Sequence, residues 1–174
     1  MRFLLFLVSF LILINGLSAQ TEFPAGNYWS LNSGIGFSDI LVDGQSYQVI
    51  IDPKLWLSPP LMIGSKTGIN YSLEENSGNI LTLEGQVYLR WNVLRFGRAE
   101  KQFNIFVQGG LGLLAAYRGH DNPFDDVTMT RGSFLADAAA GITIPITPRW
   151  HIEPSVRGGY PYLFGAAVST GIRL

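Results

Sequence analysis

Between Leu81 and Val93 the chain reads L-T-L-E-G-Q-V-Y-L-R-W-N-V. Leu81, Leu83, Gly85, Val87, Leu89, Trp91 and Val93 hold the odd positions. The even positions are Thr82, Glu84, Gln86, Tyr88, Arg90 and Asn92, all able to hydrogen-bond or ionise. A period of two with one apolar and one polar face is a β-strand lying between two different surroundings. In a soluble sandwich the apolar face meets a core and the polar face meets water. In a membrane barrel the apolar face meets lipid and the polar face lines a lumen. One strand does not choose between them; the succession of strands does.

The same alternation recurs along the chain. It predicts strands from Trp29 to Ser38, Tyr47 to Leu57, Leu61 to Leu73, Leu81 to Val93, Phe103 to Tyr117, Phe134 to Ile146, Trp150 to Tyr160 and Ala166 to Leu174. Polar or proline-bearing connectors separate them. Asp39–Ser46, Glu74–Asn79 and Arg118–Arg131 are the long ones. Ser58-Pro59-Pro60 and Thr147-Pro148-Arg149 are tight reversals, because proline has no donor for a ladder. Pro161–Phe164 is read as a further loop, Leu94–Lys101 as a basic connector that fits the rhythm less well. The parity of the apolar row switches across Arg118–Arg131.

Three features turn this pattern toward lipid. Large rings on the apolar face fall at strand ends, with Trp29, Trp91, Phe103 and Trp150 at one end. Phe37, Tyr47, Tyr71, Tyr117, Phe134 and Tyr160 fall at the other. Two aromatic girdles around a band of Leu, Ile, Val and Ala match a bilayer with two interfaces. Connector lengths alternate short and long, as periplasmic turns and outer loops do. Finally, the polar face carries Asp52, Lys54, Lys66, Glu84, Arg90, Asp137, Glu153, Arg157 and Arg173, nearly balanced in sign. Enclosed charges need partners, since an unpaired one costs several kcal/mol, so these residues are expected to form an ion-pair plug. The reversal at Ser58–Pro60 sets Asp52 opposite Lys66 as one expected pair, and Glu153 and Arg173 are expected near the turn end of adjacent strands. The predicted fold is all-β: an eight-stranded antiparallel transmembrane β-barrel over residues 20–174, with both termini on the periplasmic side.

Composition narrows the setting. Charged residues make up 14% of the 174 residues, against about 25% in soluble domains. Residues 1–19 open with Arg2, continue as an apolar run from Phe3 to Ile14 and close on Ser18-Ala19. That is the layout of a signal peptide cleaved near Ala19, too short for a membrane-spanning helix. Outer-membrane lipid is the expected partner, and a monomer the expected state. A net charge of −1 offers no footprint for nucleic acid. With Cys 0, thiolate chemistry and a lipoprotein cysteine are excluded, and no phosphate-cradling glycine loop appears.

With export leader, eight alternating strands, glycine-rich inward rows and a chain ending on its last strand, the sequence resembles the small outer-membrane barrels of the OmpA transmembrane-domain, OmpX and OmpW types. The segment G-G-L-G-L-L-A-A-Y from Gly109 to Tyr117 resembles their glycine-rich mid-barrel strand. The resemblance implies assembly by the barrel-insertion machinery, which commonly reads a terminal Phe or Trp; this chain ends Ile172-Arg173-Leu174.

Candidate chemistry is sparse. His151, Glu153 and Ser155 share one inward face but lie near the periplasmic end, and the H-x-S spacing that a resemblance to barrel deacylases would imply is absent. His120, Asp121, Asp125 and Asp126 read as a solvated loop tip. No enzyme, cofactor or metal site is therefore expected. Ile50, Leu114 and Leu135 point inward near the loop end, with Phe124 and Phe164 above them among Leu41, Val42, Tyr162 and Leu163. These are expected to form an apolar cup over the charged plug. The cup makes a narrow channel or binding site for small hydrophobic solutes the first functional expectation, by resemblance to OmpW-type barrels. A non-conducting surface barrel whose loops mediate adhesion or host contact is the alternative.

Overall fold

A computed structural model describes residues 29–40, 44–58, 60–74, 78–96, 103–119 and 128–174. The expected leader, Phe124 and the His120–Asp126 loop tip lie outside the described residues. Eight strands form one closed antiparallel barrel: β1 Trp29–Ile40, β2 Gly44–Trp56, β3 Leu61–Glu74, β4 Gly78–Phe96, β5 Phe103–Gly119, β6 Thr128–Pro145, β7 Trp150–Tyr160 and β8 Tyr162–Arg173. Each strand pairs with its sequence neighbours, and β1 closes on β8 from Ser30↔Arg173 to Ile40↔Tyr162.

The alternation sets the two surfaces. On β4, Thr82, Glu84, Gln86, Tyr88, Arg90 and Asn92 are buried, while Leu83, Gly85, Val87 and Leu89 are exposed. Residues that chemistry would hide stand outside: Tyr47 is 70% and Leu113 71% exposed, whereas Arg90 is 1% exposed. This wall is the inverse of a soluble barrel and suits hydrocarbon outside and hydrogen bonding within. The girdle residues Trp29, Phe103 and Trp150 are exposed at the turn end, and Tyr47, Phe134 and Tyr160 are exposed toward the loop end. Trp91, Phe37, Tyr71 and Tyr117 are partly covered. Phe37, Tyr47 and Tyr71 stand in one cross-strand row, and Phe37 meets Tyr47 edge-on with centroids 6.3 Å apart.

The strands outrun their apolar patterns. β2 begins at Gly44, β4 spans Gly78–Phe96 and β6 begins at Thr128, so the connectors are shorter than the sequence implies. Ladder hydrogen bonds are made by the backbone, and pairing continues where side chains cease to alternate. The parity switch is a bulge: Ala116 pairs with Arg131 but Tyr117 with Met129, leaving Thr130 over.

One expectation is corrected here. Pro161–Phe164 is not a loop, because β8 starts at Tyr162 and only Pro161 separates it from β7. Gly159, at φ +154°, supplies a backbone conformation that side-chain-bearing residues rarely adopt. A second register shift beside Asp39 and Ile40 leaves Tyr162 buried in the lumen and Phe164, 52% exposed, on the outer wall. Phe164 therefore does not line the expected cup.

Candidate functional site

The lumen gathers the inward side chains into two clusters, one above the other. The lower cluster, toward the short turns, is built on Glu153 of β7. Arg90 of β4 binds it with both terminal nitrogens at 2.9 Å, and the Lys54 ammonium of β2 pairs with the same carboxylate. Thr143 donates to it at 2.8 Å and accepts from Arg90 at 2.5 Å, and Asn32 donates at 3.0 Å. Lys54 also reaches Asp52 at 3.3 Å, and Tyr88 donates to Asp52 at 2.5 Å. The guanidinium of Arg90 lies 3.5 Å from the centroid of Phe106, a cation–π contact in a desolvated site. Two carboxylates thus meet two cations, and the remaining lone pairs find neutral donors, which is the condition for holding charge in a low-dielectric interior.

The upper cluster is built on Glu84 of β4. Arg157 of β7 approaches its two oxygens at 3.2 and 3.3 Å, and Lys66 of β3 stands 3.8 Å away. Gln48 donates to Glu84 at 2.5 Å, and the Tyr162 hydroxyl also donates to that carboxylate. Asp137 lies 3.6 Å from Arg157 and 3.7 Å from Lys66, and it accepts from Gln86 at 3.1 Å. Arg157 is pinned further by Ser38 at 3.0 Å and by Gln48 at 3.1 Å, with its guanidinium 3.6 Å from the Tyr162 ring centroid. Again two acids face two bases.

Glycines on the inward face make room for these crossings. A side chain at Gly64 would run into the Tyr88 ring, which lies over that position to bring its hydroxyl to Asp52. Between the clusters lies a cavity of about 40 Å³, bounded by Gln48, Ile50, Lys66, Phe106, Gln108 and Ser155 among others. That volume holds a few waters and falls far short of the roughly 300 Å³ of a small-ligand pocket. Above Glu84, the expected cup residues Leu114 and Leu135 pack against Tyr162 as one cluster, with Leu135 at 0% exposure.

The expected charges are therefore all inward, but their pairings differ in detail. The register on either side, Ile51↔Thr67 and Lys54↔Gly64, sets Asp52 opposite Lys66. The ion pairs nonetheless run from Asp52 to Lys54 and from Lys66 to Glu84 and Asp137. Partners are chosen across the lumen, where side chains from opposite walls converge, and not only along the ladder. Glu153 is joined to Lys54 and Arg90, while Arg173 sits partly buried at the turn-end rim opposite Ser30. His151 lies 3.2 Å from Asn32 Oδ1 and 3.6 Å from Glu153, so the tempting carboxylate beside it is held by cations. The neutral members Asn32, Gln48, Gln86, Tyr88 and Thr143 were legible only as inward positions. Tyr162, expected in a loop above Leu114 and Leu135, does pack with them, but from the first position of β8.

No protein-family model matches the sequence, and neither does any curated protein sequence. Solved structures do match. Neisserial surface protein A superposes with a TM-score of 0.61 at 12% identity, covering 88% of this chain and 99% of that one. Ail, the attachment invasion locus protein of Yersinia pestis, solved with the heparin analogue sucrose octasulfate, gives 0.55 at 12% identity, covering 85% and 99%. The fold is that of the small eight-stranded outer-membrane barrels. A de novo designed transmembrane β-barrel matches as well, at 0.53 and 15% identity over 89% of this chain and 100% of that one. A designed barrel in the same company marks the likeness as one of architecture, fixed by strand number and closure.

Proposed function

We propose that the chain is an exported, non-enzymatic outer-membrane barrel that does not conduct, and that its rigid wall presents outer loops for contact at the cell surface. The observation that carries this reading is the closed lumen. Two neutral charge clusters cross it, a cavity of about 40 Å³ separates them, and Leu114, Leu135 and Tyr162 seal the upper end. A hydrophobic-solute channel requires both clusters to part and that seal to open. Loops on a rigid scaffold are the usual place for binding, and the matched Ail structure holds a sulfated heparin analogue.

Planar-bilayer recording on the mature protein tests the reading. Silence at physiological salt is the expected result. Stable single-channel steps that change when Glu84 or Lys66 is neutralised overturn it in favour of the solute channel.

A further inference from the structure

On the outer wall one backbone row lies bare. Gly141, Ser155, Ala167, Gly36 and Gln48 follow one another in register across β6, β7, β8, β1 and β2. Gln48, Ser155 and Ala167 turn their side chains to the cavity between the clusters, and a side chain at Gly141 would meet the Phe106 ring inside. Outward side chains stand on either flank of the row. Pro154, Val168, Ile35 and Val49 form the flank nearer the turn end, and Val156, Ala166 and Tyr47 the flank nearer the loop end. Between the flanks runs a trough of about 920 Å³, almost wholly apolar, which ends on β3 between Ile69 and Tyr71.

The length, slope and course of the trough are those of one lipid chain. From β6 to β3, by way of β7, β8, β1 and β2, is five strand spacings of about 4.8 Å, a run of roughly 24 Å. Strands of such barrels tilt by about 35–45°, so a row perpendicular to them climbs roughly 14–17 Å over that run. One leaflet of the hydrocarbon core is about 15 Å deep. The upper end reaches the girdle at Tyr47 and Tyr71, and the lower end, beside Ala140 and Ile142, lies well below the girdle residue Phe134 of the same strand. The trough therefore descends from headgroup level into the middle of the bilayer. It also winds across six of the eight strands. A second copy of the barrel, itself convex, would touch this wall along a narrow line and leave the trough unfilled; a thin, flexible chain can follow it. We infer that the trough holds one acyl chain of an outer-leaflet lipid, its headgroup at the tyrosine hydroxyls, and keeps it longer than lipid elsewhere on the wall. Lipid tails are as apolar as the wall, so no hydrophobic gain sets the trough apart from the bulk. Retention comes from van der Waals contact on three sides, which a plain convex wall lacks, and from hydrogen bonding by Tyr47 at the interface. The inference needs only the lipid-facing wall and stands whether or not the lumen conducts.

The test uses the mature protein in nanodiscs of saturated phosphatidylcholine. The probe is the same lipid carrying a nitroxide, either high on one chain or at its end, and paramagnetic broadening of backbone amides is mapped by NMR. Freely exchanging lipid broadens amides of equal depth equally around the wall. A seated chain is expected to broaden the bare row severalfold more than amides of equal depth on β4 and β5. The high label should act at Gly36 and Gln48, the end label at Gly141 and Ser155. Ala166→Phe, which stands a ring in the trough, should remove that excess, and Val107→Phe on the exposed wall of β5 should leave it. Ala140→Phe, at the lower end, should remove the end-label excess alone, which keeps the test decisive if Ala166→Phe does not fold. Compact gel mobility before heating reports folding for each variant. Equal broadening at equal depth, an excess that survives Ala166→Phe in folded protein, or disulfide-linked dimers of Val168→Cys that shield the row from both labels would each overturn the inference.

Discussion

The two halves of the lumen solve one problem in two ways. Below, Glu153 is the single point on which Arg90, Lys54, Thr143 and Asn32 converge, with bidentate contacts at 2.9 Å. Above, the load is shared: Arg157 and Lys66 each lie between Glu84 and Asp137, at 3.2–3.8 Å. The lower cluster is framed by aromatic rings, Tyr88 and Phe106, while flexible amides, Gln48 and Gln86, frame much of the upper one. A hub with one acceptor should be stiff and intolerant. A hub with two should bend before it breaks.

Substitutions can pull that contrast apart. The largest effect is expected for Glu153→Gln, which strips two buried cations of their shared carboxylate and leaves only Asp52. A loss of about 3–5 kcal/mol is expected, read from urea unfolding in lipid vesicles, and a loss under about 1 kcal/mol would break the idea of a single-point hub. Glu84→Gln should cost less, about 2–3 kcal/mol, because Asp137 still faces both Arg157 and Lys66. Equal costs for the two variants would erase the distinction.

Smaller changes sharpen it. Gly64→Ala in the lower cluster should cost about 1–2 kcal/mol, since its methyl meets a ring held in place by Asp52. At Gly68 in the upper cluster the new methyl would fall 2.7 Å from both Gln48 Nε2 and Glu84 Oε1, the movable ends of flexible side chains. Gly68→Ala is expected to cost less than Gly64→Ala in the same titration, and the reverse order would place the stiffness in the upper half. The smallest effect is expected outside the lumen. Phe164→Lys, on the outer wall near the loop-end rim, should cost about 0–1 kcal/mol. A cost like that of Glu84→Gln would put Phe164 in the lumen after all, and the same unfolding measurement decides.

The difference between the halves also explains what could be read ahead of the fold. Glu84, Arg90, Glu153 and Arg157 were recognisable as inward because parity is a local property: successive side chains on a strand must point to opposite faces. Asp52 and Lys66 fall opposite each other in the register of their neighbours, since a hairpin register follows from its turn. Their failure to pair was not legible, because Tyr88 and Lys54 reach Asp52 from other positions and Lys66 turns to Glu84 and Asp137. The place of Tyr162 on β8, in the lumen, was missed for a related reason. One extra residue on β8, Leu163, stands opposite the Asp39–Ile40 step of β1 and turns Tyr162 inward, which shows only when β8 is paired with β1.

By itself, then, the sequence determined the number of strands, the face each residue takes and the inversion of apolar outside against polar inside. All of these rest on a period of two and on which medium each face tolerates. The closing of β1 on β8, the gathering of eight charges into two neutral clusters and the extra residue that turns Tyr162 into the lumen were decided only by the tertiary structure. Closure fixes how far each strand is staggered against the next around the whole ring. That stagger, summed over all eight strands, sets which side chains meet across the lumen and where the rim stands high.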